Sequence, residues 1–457
     1  MTKSFRILHT TIRAASMLLL ATPLAMAQEP AEAVLDAQAK PLSQEAAAPQ
    51  ETEAPQEATA PMDATAAPLS PAASAPVTWR TFQWTIVKTP FQMKYSRRGL
   101  ELQTNDGRHT SRIRWRLQVR GSNPFDAAPR RVSQFGESDQ DHLIMRRARF
   151  KVEGRLFGPL VNYKFEHDLV AGKTIDLYFD FKLKPWLKIR AGQWKSHFSQ
   201  ERVISSGSQQ FAERSIVNRE FTADRQSGAM LYGRLKPGTL ADSSYFFEIL
   251  GGSGINSVYQ ADSPMFVSRY QWNVFGREPE FFSSDLEGAE KPEAFIAISA
   301  LRNRSRFTRF STSGGGQLDG FAAGASNQYA LTQVNVEFFL KYRGLSIQNE
   351  NHWKNIHDSV KLTDSSMRGG YAQAGYFPHQ VWTPFPKEVE LAYRYAFVDS
   401  RLGVPDDVRQ EHTVALNVFL EGHTNKFTIE AGRLSLARAG MSDIPDFRYR
   451  IQWDVHY

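Results

Sequence analysis

The feature that most constrains this chain is a strict alternation of apolar and polar side chains that begins at Ser111. In the segment RIRWRLQVR (112–120), isoleucine, tryptophan, leucine and valine alternate with four arginines and a glutamine. Because successive side chains of a β-strand point to opposite faces, the pattern predicts a strand with one apolar face and one basic face. The arginines that share the basic face are Arg112, Arg114, Arg116 and Arg120.

The same period recurs further along the chain. Between Arg147 and Leu156, Arg147, Arg149 and Lys151 share a polar face. Arg146 does not fit, because strict alternation would point it at the apolar side. We therefore expect it at a rim, in a β-bulge, or extended along the surface so that its charge reaches water.

Alternation alone also fits a soluble β-sandwich, so the connections decide between the two folds. Long connections between strands alternate with short ones, as the outer loops and periplasmic turns of outer-membrane barrels do. The exception is Gly276–Pro292, which is long for a periplasmic turn. The fold class predicted is all-β: a transmembrane antiparallel β-barrel of about 16 strands. We place the strands at 111–120, 143–156, 160–170, 174–184, 186–195, 226–236, 243–251, 267–275, 293–302, 329–341, 344–354, 369–378, 388–398, 411–421, 425–434 and 447–457.

The N-terminal part has a different composition. Basic residues and a short apolar run (14–24) precede Ala25-Met26-Ala27, which predicts a signal peptide over residues 1–27. A membrane-anchor helix is the alternative, but the run falls short of the roughly 20 residues that a span needs. Residues 28–78, rich in Ala, Pro and Glu, predict a disordered tether. Residues 79–110 form a prelude in which TFQWTIV and GLELQ could pair, and residues 111–457 form the barrel.

Charge and composition narrow the function. Four of the 55 basic residues and eight of the 48 acidic residues precede Trp79. The part predicted to fold therefore has 51 basic and 40 acidic residues and a net positive charge. Cysteine is absent, which excludes disulfides and thiolate chemistry. No G-x-S-x-G, H-E-x-x-H or P-loop motif occurs, so we expect no enzyme, cofactor or metal site. His352 and His357 are five residues apart, which does not suit a helical zinc pair.

Several segments together resemble the phosphate-selective porins O and P of Gram-negative outer membranes. The resemblance covers about residues 99–457. It is carried by GLELQ, WRLQ, MRRARFKVEGRLFG, YKFEHDL, IRAGQWKSHFSQER, FAERSIVNREFTADRQSG, ELAYRYAFVDS and HTVALNVFLEG, in that order.

The resemblance implies a homotrimeric porin of sixteen strands whose third outer loop, near 196–225, folds into the lumen. It also implies a ladder of arginines and a basic constriction that binds phosphate or polyphosphate. The WRLQ arginine matches Arg116, and the paired arginines match Arg146 and Arg147. The constriction residues match Arg202 and Arg214, with Asp176 as the balancing carboxylate. Arginine replaces the family's lysine at 202, a second lysine is replaced near Gly207, and the tether is an addition.

The residues and the resemblance together predict an outer-membrane channel for the passive uptake of anions. Arginine pairs bidentately with phosphate or carboxylate oxygens, and rings of basic side chains favour anions. The expected partners are outer-membrane lipid, small anions such as phosphate and two further copies of the chain, without nucleic acid. Two alternatives stay open: a structural or surface-binding barrel that conducts little, and an outer-membrane hydrolase.

Overall fold

The computed structural model describes residues 91–96, 99–136, 142–257, 263–311, 314–402, 408–438 and 441–456. The predicted signal peptide, the tether and the first part of the prelude lie outside the described residues. Within the described ranges, no helix combines the length and the apolar character needed to cross a bilayer.

The described ranges contain twenty strands, two short α-helices and two 3-10 helices, Val132–Gln134 and Pro378–Gln380. The strands are β1 (Phe91–Ser96), β2 (Gly99–Thr104), β3 (Thr110–Asn123), β4 (His142–Leu156), β5 (Val161–Asp168), β6 (Lys173–Lys184), β7 (Leu187–Lys195), β8 (Arg225–Leu235), β9 (Ser243–Leu250), β10 (Met265–Asn273), β11 (Glu293–Ser305), β12 (Arg309–Ser311), β13 (Gly314–Gly316), β14 (Tyr329–Tyr342), β15 (Leu345–Asp358), β16 (Thr363–Tyr376), β17 (Val389–Asp399), β18 (Val408–Phe419), β19 (Asn425–Arg438) and β20 (Met441–His456). The α-helices are α1 (Gln200–Val203) and α2 (Ile216–Phe221).

Sixteen of these strands form a closed antiparallel barrel, which confirms the predicted fold class. Strands β3–β11 and β14–β20 each pair with their neighbours, and β20 pairs with β3 to close the barrel. Each of the sixteen predicted ranges overlaps one barrel strand. The largest differences are at β16 and β20, which begin six residues earlier than predicted.

The barrel turns its apolar side chains outward and its polar side chains inward. On β3, Trp115 and Leu117 are 44% and 43% exposed, whereas Gln118 and Arg120 are buried. A soluble sandwich would bury the apolar face, so this orientation is that of a barrel in lipid with a polar lumen.

Arg146 occupies a β-bulge, one of the three positions that its sequence context left open. Gln118 pairs with Arg147 and Val119 pairs with Met145, which leaves Arg146 as the extra residue of β4. A bulge re-aims the side chain it contains. Arg146 therefore reaches Glu213 inside the barrel, with its Nη2 atom 3.2 Å from Oε2.

Strands β1 and β2 form a hairpin at the predicted periplasmic end of the barrel. β2 pairs with the first residues of β3, with Leu100 opposite Ile113, on the edge that β20 leaves free. GLELQ is thus a strand as predicted, but its hairpin partner is FQMKYS; TFQWTIV lies outside the described residues. Arg112 pairs with Glu101 of this hairpin, Nε to Oε2 at 3.1 Å.

The long turn between β10 and β11 (274–292) folds into the lumen. The backbone N–H of Ser283 donates to the carbonyl of Ser208 (3.0 Å), and Ser284 Oγ donates to Glu390 Oε2 (2.8 Å). This accounts for its unusual length, because the segment fills space inside the barrel instead of merely joining two strands.

Candidate functional site

The connection between β7 and β8, which we call the constriction loop (196–224), lies inside the barrel. Five of its backbone N–H groups donate to carboxylates on five different wall strands. The pairs are His197 with Glu248 (3.0 Å), Gln200 with Glu337 (3.2 Å), Glu201 with Glu350 (2.5 Å), Ala212 with Glu430 (2.8 Å) and Ile216 with Glu411 (2.9 Å). Four of these carboxylates lie on strands β14–β19, and Glu248 lies on β9.

Basic side chains of the lumen bind the carbonyl groups of the same loop. The donors and acceptors are Lys195 with Val203 and Ile204 (3.2 Å each), Lys354 with Glu220 (2.9 Å), Arg394 with Glu213 (3.0 Å), Arg120 with Ala212 (2.6 Å) and Lys426 with Gln209. Much of the basic character of the lumen thus stabilises the docked loop.

Glu213 of the constriction loop gathers three arginines. It lies 3.1 Å from Arg120 Nη2, 3.2 Å from Arg146 Nη2 and 3.0 Å from Arg147 Nη2. Burial alone would raise the pKa of Glu213, but the three guanidinium groups hold it well below its usual range. The carboxylate therefore stays ionised and neutralises part of this arginine cluster.

The space left between the loop and the wall formed by β3–β8 is a cavity of about 540 Å³. Among the described residues that line it, eight are cationic and two are carboxylates. The cations are Arg114, Arg116, Arg149, Lys151, Lys164, Arg190, Lys195 and Arg225, and the carboxylates are Glu166 and Asp176. Cations therefore outnumber carboxylates among the described residues that line this cavity.

Most of these cations have carboxylate partners that fix their positions. Asp176 accepts from Arg225 Nε (2.6 Å) and from Lys164, and Arg149 Nε lies 2.9 Å from Asp168 Oδ2. Lys195 differs, since it forms no salt bridge with any described residue and donates to carbonyl groups instead. Its amino group is therefore not bonded to a carboxylate among the described residues.

Arg190 is held by aromatic rings as well as by charge. Its guanidinium lies 4.0 Å from the centre of the Tyr178 ring and 5.5 Å from that of Tyr232. Asp180 accepts from its Nε at 2.7 Å. Cation–π contacts of this kind orient a guanidinium plane, so Arg190 is a fixed part of the cavity wall.

The residues that the sequence singled out fall into four groups. Arg114, Arg116, Arg149 and Asp176 line the cavity, whereas Arg112 lies by the β1–β2 hairpin and Arg146 and Arg147 bind Glu213. Arg202 and Arg214 are buried within the constriction loop and do not line the cavity. Arg202 Nε donates to Asp224 (2.7 Å), and Arg214 donates to the carbonyls of Glu201 (2.9 Å) and Ile204 (2.7 Å).

Gly207 gives Arg116 the room that it occupies. A Cβ atom at position 207 would lie 3.0 Å from Arg116 Cζ, closer than most real contacts. Arg116 also donates to Ser206 Oγ (2.8 Å) and to Asp454 Oδ1 (2.9 Å). The position near which the family's second lysine is replaced therefore lies against the side chain of Arg116.

The prediction from the sequence missed five of the cations that line the cavity and the lining residues that come from two turns. Lys151 and Lys164 share the inward phase of β4 and β5, so the alternation contained their signal; Arg190, Lys195 and Arg225 also lie on barrel strands. Phe282 and His423 come from connections, where no periodic pattern shows which side chains face the lumen.

Docking of the constriction loop should depend on pH through Glu201. Burial raises the pKa of this carboxyl to about 7; Arg394 opposes the rise and Glu350 adds to it. In a released loop the pKa would return toward its ordinary value of 4.5, so the docked state binds more protons between these values. Docking should therefore weaken as pH rises from 4.5 to 7, by up to roughly 1.4 kcal/mol per unit, and then level off.

The measurement is the frequency of current fluctuations in single channels between pH 5 and pH 8. We expect more frequent fluctuations at pH 8 in the native protein and a flatter profile in Glu201→Gln, which stays neutral throughout. An identical pH profile in the two proteins would show that Glu201 does not control docking.

Comparison with known proteins bears directly on this arrangement. A family model for phosphate-selective porin O and P matches residues 118–238 and 305–430, more than half of the chain. The chain belongs to this family. The first matched segment includes the constriction loop and most of the basic wall. The protein is accordingly a porin, a channel-forming barrel of the outer membrane.

Solved structures similar to this porin are outer-membrane channels. The anion-selective porin from Comamonas acidovorans has a TM-score of 0.48 at 10% identity, covering 76% of this chain and 99% of its own. The channel DcaP of Acinetobacter baumannii has a TM-score of 0.48 at 12% identity, covering 78% and 99%. OmpT of Vibrio cholerae has a TM-score of 0.48 at 8% identity, covering 77% and 98%. No curated protein sequence matches the chain significantly.

Proposed function

We propose that this porin is a passive, water-filled channel selective for anions. The observation that carries the proposal is the cavity beside the constriction loop, where eight cationic side chains face two carboxylates. A ring of basic side chains lowers the energy of an anion in the pore and raises that of a cation. Passage needs no covalent chemistry, so we expect no enzymatic activity.

Phosphate and polyphosphate are the anions that we propose as preferred ligands. Arg114, Arg116, Arg149 and Arg225 supply guanidinium groups to one cavity, and guanidinium pairs bidentately with phosphate oxygens. The family's name points to the same ligand. The bonded carboxylates, such as Asp176, compete with the ligand, which favours exchange over permanent capture.

The test is the reversal potential of single channels in a gradient of potassium chloride, followed by addition of phosphate. We expect a reversal potential that corresponds to a higher permeability for chloride than for potassium. We also expect phosphate to reduce the chloride current. A preference for potassium would contradict anion selectivity. A barrel that does not conduct would support the alternative of a structural or surface-binding role.

We further propose that the porin assembles as a homotrimer in the outer membrane, as the resemblance implies. A homotrimer would behave as a particle of three barrels when the purified protein is cross-linked or weighed by native mass spectrometry. A single-barrel mass under mild detergent conditions would contradict this assembly.

A further inference from the structure

Aromatic rings form one part of the cavity wall. Phe282, from the turn 274–292, is 38% exposed although it lies inside the barrel, and its ring centre lies 5.1 Å from that of His423. His423, from the turn between β18 and β19, also meets Phe419 edge-on at 5.3 Å. Phe282 and His423 both line the basic cavity.

Arg116 borders the same part of the cavity. On one side, Arg116 Nη1 donates to Ser206 Oγ (2.8 Å), and two residues later the carbonyl of Ser208 accepts from Ser283, the neighbour of Phe282. On the other side, Arg116 lies opposite His456 in the barrel ladder.

His456, which lies opposite Arg116, also contacts the turn that carries His423. The N–H of His456 donates to the carbonyl of Thr424 (2.8 Å), which follows His423 in the chain. These contacts place the segments that carry Arg116, His423 and Phe282 next to one another along the cavity wall.

Several polar atoms here are buried without a partner among the described residues. They are Nδ1 and Nε2 of His423, Nε of Arg116 and Nδ1 of His456. Buried polar atoms are rarely left unpaired, so each of these invites a ligand or water. Burial, with Lys426 and Lys341 nearby, lowers the pKa of His423 well below its usual range. Its neutral imidazole offers one donor and one acceptor.

The charges around this point favour an anion that is shared with existing pairs. Arg116 already holds Asp454 at 2.9 Å through Nη2, so a ligand would approach the N–H donors that Asp454 and Ser206 leave free. The Lys426 ammonium, also within the barrel, donates to the carbonyl of Gln209 and has no salt bridge with a described residue. Lys426 therefore has no directly bonded carboxylate among the described residues.

We propose that the channel has a binding site for aromatic carboxylates, with the carboxylate on Arg116 and the ring against Phe282 and His423. The site deepens the proposed anion selectivity and rests on it. An inorganic anion uses the guanidinium alone, whereas an aromatic ring also covers the exposed face of Phe282. Aromatic pairs of this kind strengthen binding by about twofold to tenfold.

The experiment compares benzoate with acetate as blockers of the chloride current through the purified full-length porin in planar bilayers. The two anions carry the same charge, and benzoate adds a ring. We expect half-block by benzoate at a concentration about twofold to tenfold lower than by acetate. In Phe282→Leu, which keeps an apolar side chain but removes the ring, the two concentrations should become similar.

Phe281→Leu is the matched control, because it makes the same change in the same turn at a residue that does not line the cavity. It should keep the native ratio of benzoate to acetate. Equal block by the two anions in the native protein would overturn the site, and so would a native ratio in Phe282→Leu. The reversal potential in potassium chloride tests anion selectivity separately, so failure of that proposal is distinguishable from failure of this one.

Discussion

Replacing Glu411 with alanine is expected to loosen the constriction loop around Ile216 and to raise single-channel conductance several-fold. Glu411 Oε2 accepts from the N–H of Ile216 (2.9 Å), and Oε1 accepts from Arg394 Nη2 (2.5 Å). Arg394 is fully buried and also donates to the carbonyl of Glu213. Removing one partner of a buried ion pair costs about 3–5 kcal/mol. The loop blocks much of the lumen, so its release widens the pore.

Two further variants sharpen this test. Glu411→Gln keeps an oxygen that can accept from Ile216 and should raise conductance less than the alanine variant. Asp364→Ala removes an exposed carboxylate, paired with His357 but distant from the loop, and should leave conductance unchanged. A native conductance in Glu411→Ala, with the barrel correctly assembled, would show that the docked loop does not limit current.

Neutralising three lining cations together is expected to remove most of the anion selectivity. The variant combines Arg116→Gln, Lys151→Gln and Lys195→Gln. It leaves five lining cations, removes the arginine bonded to Asp454 and leaves Glu153 bonded to Arg114 alone. A unit charge about 4 Å away contributes about 1 kcal/mol in water, less with salt screening. The ratio of chloride to potassium permeability should therefore fall by roughly tenfold or more.

The measurement is again the reversal potential in a potassium chloride gradient. The matched control neutralises Lys236, Lys361 and Lys387, which are exposed on turns and loops. The control changes the total charge equally, so it should retain the native potential. Equal shifts in both variants would mean that overall charge, and not the cavity, sets selectivity.

The barrel could be predicted from the sequence because alternation is a local signal. Each strand shows its own apolar face, and the alternation in RIRWRLQVR is visible without knowing any partner strand. The position of Arg146 was harder. Two adjacent arginines indicate that the alternation breaks, but the bulge depends on the register between β3 and β4.

The site was less accessible from the sequence because it depends on contacts between distant segments. Arg202 and Arg214 carry the expected charge, yet their guanidinium groups bind Asp224 and loop carbonyls within the constriction loop. Whether an arginine lines a cavity or holds a loop depends on how that loop docks. No periodicity in residues 196–224 or 274–292 reports this.

The constriction loop is attached to the barrel largely through its main chain, so its attachment depends little on the identity of the side chains at those positions. The wall carboxylates bind the main-chain N–H groups of residues 200, 201, 212 and 216, and the lumen lysines bind main-chain carbonyls. Every residue except proline supplies these groups, whatever its side chain. Side chains at positions 200, 212 and 216 can therefore change during evolution without undoing the attachment, whereas Glu201 also acts through its carboxyl group. Natural relatives or designed variants could retune what the pore admits while inheriting the same scaffold.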